Sequence, residues 1–152
     1  MMVVYRISKM KFYDDTTGTG SRLYGGRWNN IGYPCIYTSA TRALAVLEYT
    51  VNVSLENSPY DLCMTTWEIP DDIMEFDISD LPQGWHLTPA TSASKNFGTK
   101  FLKELRYPVL KVPSVIITEE FNYILNPLHP KNAEFKMIDF HNFFLDQRFK
   151  RF

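Results

Sequence analysis

The chain has 152 residues, 45% of them apolar and 15% aromatic, and 16 basic against 17 acidic side chains leave a formal charge of −1. That length suits a single domain, residues 1–152, with enough core to stand without disulfides. The even charge argues against a surface that wraps DNA or RNA. The two cysteines, Cys35 and Cys63, are too few for a disulfide framework and show no metal-type spacing, so they read as small buried hydrophobes and no metal is expected. No apolar run reaches the length of a signal-peptide core or a membrane span, so the expectation is a cytoplasmic protein with no membrane contact.

Residues 2–7, β-branched and apolar around an arginine, predict a first strand that delivers Arg6 at its end. The polar run to Gly20 predicts a loop. The stretch Gly18–Tyr49 holds five of the chain's seven glycines together with Arg22 and Arg27. Glycine lets backbone approach a ligand closely, and planar guanidinium forks match phosphate oxygens, so the loop is suited to an anion. It is not a dinucleotide fingerprint, because the third glycine would fall at Leu23. Nor is it a P-loop, because Gly26 and Arg27 stand where Lys and Ser or Thr are required.

Tyr33–Ser39 predicts a short strand, and Thr41–Asn52 a helix capped by Ser39 or Thr41 with an apolar stripe of Leu44, Leu47 and Val51. Glu48 lies on that stripe. A carboxylate there either pairs with an arginine or tips into water, or it does chemistry in a cleft, since an unpaired buried charge is costly. After a linker, Glu56–Tyr60, residues 61–70 and 73–78 predict strands. A helix is expected over Thr88–Arg106, with Pro89 in its first turn and Ala93, Phe97, Phe101, Leu102 and Leu105 as its stripe. Val109–Val112 and Ser114–Glu120 predict strand pieces, Asn122–Pro130 a short strand or turn, and Glu134–Leu145 the last strand. Two main helices among short strands in mixed order give an α+β fold with mixed or antiparallel sheets.

His86, His129 and His141 show no ligand spacing. A serine hydrolase built from Ser114, His129 and Asp139 is disfavoured, because Ser114 follows Pro113 without a G-x-S-x-G turn.

Taken in order, GSRLYGGRWNNIGYPCIYTS, ALAVLEY, LKVPSVII and NYILNPLHP resemble the RES-domain toxins of bacterial RES–Xre type II toxin–antitoxin pairs, over nearly the whole chain. The resemblance implies a fold similar to ADP-ribosyltransferases and consumption of NAD as substrate, with no separate cofactor. The three letters of the family's name correspond to Arg27, Glu48 and Ser114, which it implies as catalytic. It implies Arg6, Arg27, Tyr37 and Asn126 as NAD-binding, with Arg22 a weaker candidate. Tyr49 and Asn52 depart from the residues frequent in the family at those helix positions.

Breaking the nicotinamide–ribose bond creates an oxocarbenium-like ribose, so a site must clamp the pyrophosphate and stabilise positive charge. Two arginines and a glutamate meet that need. The expected function is a toxin that depletes NAD by cleaving this bond, with an Xre-type antitoxin covering the cleft. ADP-ribosyl transfer to a cellular protein is the alternative, and a non-catalytic protein-interaction module is the alternative of another class.

Overall fold

A computed structural model describes residues 1–52 and 61–150. The linker expected at Glu56–Tyr60 lies outside the described residues. The strands are β1 (Met2–Lys9), β2 (Ile36–Ser39), β3 (Leu62–Ile69), β4 (Ile73–Met74), β5 (Val109–Pro113), β6 (Phe121–Leu125) and β7 (Lys136–Phe143); the helices are α1 (Thr19–Tyr24), α2 (Arg42–Asn52) and α3 (Ser92–Glu104). The strands form one sheet in the order β4-β5-β6-β2-β1-β3-β7. Neighbours run antiparallel except β4 and β5, which are parallel. The fold is therefore α+β with a mixed sheet, as its pattern of short strands predicts.

The sheet is forked. β1 pairs with β3 along its whole length, from Met2 opposite Ile69 to Lys9 opposite Leu62. Its pairing with β2 is a single register position, Tyr5 opposite Ser39. On the other side of the fork, β2 is fully paired with β6, and β6 with β5. One row across the sheet thus aligns Tyr5, Ser39, Asn122 and Val112, at the level where β1 and β2 part.

Alternation along the strands separates two layers of core. Leu110, Val112 and Ile124 pack with Cys35, Trp28, Trp85, Phe101 and Leu102. Val4, Ile36, Trp67, Val109, Tyr123 and Leu125 form a cluster from the alternate positions. α2 lies over β1 and β3, where Ala45 joins Ile7, Leu62 and Met64. Leu44 is 2% exposed, and burying such a side chain contributes about 1.5–3 kcal/mol. The cap of α2 is Thr41, whose Oγ1 accepts the Leu44 N–H at 3.1 Å.

Several expectations need correction. Thr19–Tyr24 is a short helix, not loop, and β2 begins only at Ile36. Arg6 stands in the middle of β1 and not at its end. Val51 is 58% exposed, so the buried stripe of α2 does not run its full length. Only Ile73 and Met74 of the expected 73–78 strand pair in the sheet. Pro89 precedes α3, whose buried side is Ser94, Gly98, Thr99, Phe101 and Leu102, while Leu105 caps the helix in the left-handed region and is exposed. Gly98 is there because α3 sits almost on backbone at that point: a Cβ on it would come within 1.8 Å of the Trp28 carbonyl oxygen. Ser114–Glu120 is a turn and not a strand, because Ser114 Oγ accepts the backbone N–H groups of Ile116 and Ile117 and so curls the chain away from the sheet. Among the described residues no helix is long and apolar enough to cross a membrane.

Candidate active site

β5 and β6 are joined by that turn, and its mouth carries two polar side chains facing α2. Ser114 follows the last residue of β5 and is fully buried. Its backbone N–H donates to the Glu120 carbonyl at 2.8 Å, closing the turn. Asn122 is the second residue of β6. Both reach one atom: Ser114 Oγ donates to Glu48 Oε1 at 2.7 Å and Asn122 Nδ2 donates to the same oxygen at 2.8 Å. Ser39, at the end of β2, donates its hydroxyl to Asn122 Oδ1 at 2.7 Å. Glu48 is therefore not ion-paired with an arginine. It is half-buried and held by neutral donors, and among the described residues no hydrogen bond reaches its second oxygen, Oε2.

Arg27 is held in a different kind of frame. Gly26–Asn29 is a tight hairpin turn in which Gly26 N–H donates to the Asn29 carbonyl at 3.1 Å. Tyr37 pins it from β2. The phenol donates to Asn29 Oδ1 at 2.6 Å and accepts the Trp28 N–H at 3.0 Å. Gly26 is required here, because a Cβ would come within 2.6 Å of that hydroxyl. Burial pushes the Tyr37 phenol well above its ordinary pKa, and it pushes the Cys35 thiol up to about 12. Both groups stay neutral near pH 7 as structural parts.

The guanidinium of Arg27 is fixed by a second loop. Nη1 donates to the carbonyls of Trp85 at 3.1 Å and Leu87 at 2.7 Å, and Nη2 donates to Thr88 Oγ1 at 3.1 Å. Of its five N–H groups, Nε–H and one on Nη2 have no partner among the described residues. Partial burial lowers its pKa, while the charge of Glu48 raises it, so the two groups sense each other without forming a salt bridge. The arrangement sets a fixed cation within electrostatic reach of a fixed anion. Such a pair can hold a phosphate oxygen at the cation and favour a developing positive charge at the anion.

Arg6 is the first residue of β1 past the fork. Its Nη1 donates to the Asp15 carbonyl at 3.1 Å, and burial lowers its pKa against the raising influence of Asp15. No hydrogen bond among the described residues joins it to Arg27 or Glu48. Arg22 is exposed on α1. Asn126 is not brought to the cluster: it is buried at the far end of β6 from Asn122, where Nδ2 donates to the Leu102 carbonyl at 3.0 Å and Oδ1 accepts the Leu128 N–H at 3.1 Å. The Asn-Pro-Leu-His-Pro segment is a turn knotted by such bonds, with His129 Nδ1 accepting the Lys131 N–H. The disfavoured hydrolase triad is likewise dispersed, since Ser114 serves Glu48 and Asp139 lies 3.6 Å from His141.

Asn122 and Ser39 are the residues that sequence reasoning missed. A signal existed in the alternation of β6, where Asn122 shares a face with Ile124, but it names a partner only once the strand order is known.

The RES domain family matches residues 3–146. The chain is 37% identical over 121 residues to the Prs ADP-ribosylating toxin of Sphingobium sp. (strain YBL2), covering 77% of this chain and 75% of that protein. It is 35% identical over 129 residues to Toxin Res of Photorhabdus laumondii, covering 84% and 83%. Toxin Res of Pseudomonas putida is 32% identical over 143 residues, covering 91% and 95%. Among solved structures, a chain of the M. tuberculosis MbcT–MbcA toxin–antitoxin complex superposes with a TM-score of 0.75 over 94% of this chain and 84% of that one, at 15% identity. That likeness is one of fold.

Proposed function

The chain belongs to the RES-domain family of toxins, and on that premise we propose that it is the enzymatic toxin of a toxin–antitoxin pair, cleaving the nicotinamide–ribose bond of NAD. The observation that carries this reading is the Glu48 carboxylate, held on one oxygen by Ser114 and Asn122 and within electrostatic reach of the fixed charge of Arg27. Arg27 supplies its two remaining N–H groups to the pyrophosphate, with Arg6 a second cation at the fork. Glu48 Oε2 accepts from a ribose hydroxyl, and its charge stabilises the oxocarbenium ion as nicotinamide leaves. Water attack on that ion yields ADP-ribose and a proton. Tyr37 contributes by holding the Arg27 turn, its hydroxyl being engaged by Trp28 and Asn29.

A second reading replaces water with a protein side chain as acceptor, and it is favoured by the Sphingobium relative, which is named an ADP-ribosylating toxin. The partner under either reading is a separate antitoxin protein of the Xre type that covers the space between Arg27 and Glu48 and competes with NAD.

Purified protein incubated with NAD should release nicotinamide and ADP-ribose in equal amounts, followed by chromatography. Nicotinamide in excess of free ADP-ribose, with label on added cell protein, would select the transferase. Expression should arrest growth and lower cellular NAD. Folded protein that leaves NAD intact, alone and with cell extract, and harms no cell would overturn the enzymatic reading in favour of a binding module.

A further inference from the structure

We infer that Asn122 is a positioning residue for Glu48, oriented by Ser39, and that this relay leaves Glu48 Oε2 as the one oxygen free to meet a substrate hydroxyl.

The direction of the relay follows from donor chemistry. An ionised carboxylate only accepts, so the end of the Asn122 amide that faces Glu48 Oε1 at 2.8 Å must be the NH2 group. The amide oxygen then faces Ser39 Oγ at 2.7 Å, and that hydroxyl must donate. Ser39 is 4% exposed, so few waters compete for the bond. The backbone supports the same geometry: Ser39 and Asn122 are registered partners in β2 and β6, and Val112, opposite Asn122 on its other side, lies two residues before Ser114. Two donors on Oε1 fix both the rotation and the tilt of the carboxylate. Ser114 alone would leave it free to turn about the Ser114–Oε1 line, and Oε2 would sweep an arc.

The inference rests on the NAD-cleaving reading for its consequence but not for its geometry, and the experiment separates the two. The variants are Asn122→Ala, Asn122→Asp and Ser39→Ala, with Asn122→Asp also made in a Glu48→Gln background; Arg27 is unchanged in all of them. In Asn122→Ala, kcat for NAD should fall about ten- to a hundredfold, the loss expected for one hydrogen bond to a charged group. KM should change much less, because Asn122 touches Glu48 and not the substrate. Ser39→Ala should show the same split with a smaller loss. An unchanged kcat in Asn122→Ala would overturn the inference.

The second measurement needs no activity. Asn122→Asp sets two carboxylates at hydrogen-bond distance, and they cannot both ionise cheaply. The introduced carboxyl keeps its proton in the fold to a higher pH than in the unfolded chain, so its stability contribution is present in acid and is lost as pH rises through the folded value. The melting temperature of Asn122→Asp should therefore fall, relative to wild type, between about pH 4 and pH 7. That fall should vanish in the Glu48→Gln background. A fall that persists there, or none at all, would overturn the inference. Its presence in a protein that leaves NAD intact would instead overturn the enzymatic reading and leave the positioning standing.

Discussion

Ser114 and Glu48 meet at 2.7 Å, hydroxyl to carboxylate, although the first directly follows a strand and the second sits inside a helix. The same Oγ accepts the N–H groups of Ile116 and Ile117, at 3.1 and 3.2 Å. One atom therefore shapes the β5–β6 turn and holds the acid. Ser114→Ala should cost both properties: about 1–2 kcal/mol of stability, since the two backbone donors can recover only part of their bonding from water, and a fall in NAD turnover beyond what that unfolding explains. Denaturant titration and nicotinamide release on the same sample check it.

Glu48→Gln should leave the fold intact. The amide oxygen can still accept from Ser114 and Asn122, so the cluster keeps its bonds while losing its charge. NAD turnover should drop by about a hundredfold or more, the scale of removing one charge-stabilising group from a site. Retained turnover with an unchanged melting temperature would return Glu48 to a purely structural role.

Arg27→Lys conserves charge and loses the fork. A lysine ammonium cannot reach the Trp85 and Leu87 carbonyls and Thr88 Oγ1 while also offering two parallel donors to a phosphate. NAD affinity should weaken about tenfold or more, and the loop over 85–88 should become more open to limited proteolysis. Unchanged affinity by calorimetric titration would remove Arg27 from the phosphate site.

How much of this the sequence carried can be judged residue by residue. The mixed α+β sheet, a cap at Ser39 or Thr41 and the inward aim of Glu48 follow from alternation, capping preference and helical spacing, which are local properties; that Thr41 and not Ser39 is the cap does not. The partner of Glu48 does not, because it depends on β2 lying between β1 and β6, a long-range order that no window of sequence contains. For the same reason Asn126 was legible as a polar residue in a distinctive motif while its bonds to Leu102 and Leu128 were not. The turn at Ser114–Glu120 is hidden from local pattern for another reason: Val115, Ile116 and Ile117 have strand propensity, and the Ser114 hydroxyl outweighs it by taking two of the N–H groups a ladder would need.

Asn126→Ala is thus expected to behave unlike Asn122→Ala. It leaves the Leu102 carbonyl and the Leu128 N–H without their partner at a site 1% exposed, so it should cost about 1–3 kcal/mol of stability. Turnover per folded molecule should stay near that of wild type at low temperature. A selective loss of NAD binding in folded protein would assign Asn126 a part in binding NAD.

Tyr37→Phe tests whether the Arg27 turn is held from β2. Removing the hydroxyl orphans Asn29 Oδ1, on a residue with no exposure, and the Trp28 N–H, so about 1–3 kcal/mol of stability should be lost. Wild type carries a matching pH signature. Burial raises the Tyr37 pKa well above the ordinary 10.0, so the folded protein keeps this proton where the unfolded chain releases it. Unfolding then releases a proton above about pH 10, and stability that is constant with respect to this group below that pH must decline as pH rises further. Other tyrosines and lysines titrate in the same range, so the difference between the two proteins is the quantity to measure. Wild type should lose stability between about pH 10 and 11.5 more steeply than Tyr37→Phe, and the two denaturation midpoints should converge. Parallel curves across that range would mean that the phenol is not held neutral by burial, and an unchanged midpoint in Tyr37→Phe at pH 7 would mean that the turn presenting Arg27 is anchored elsewhere.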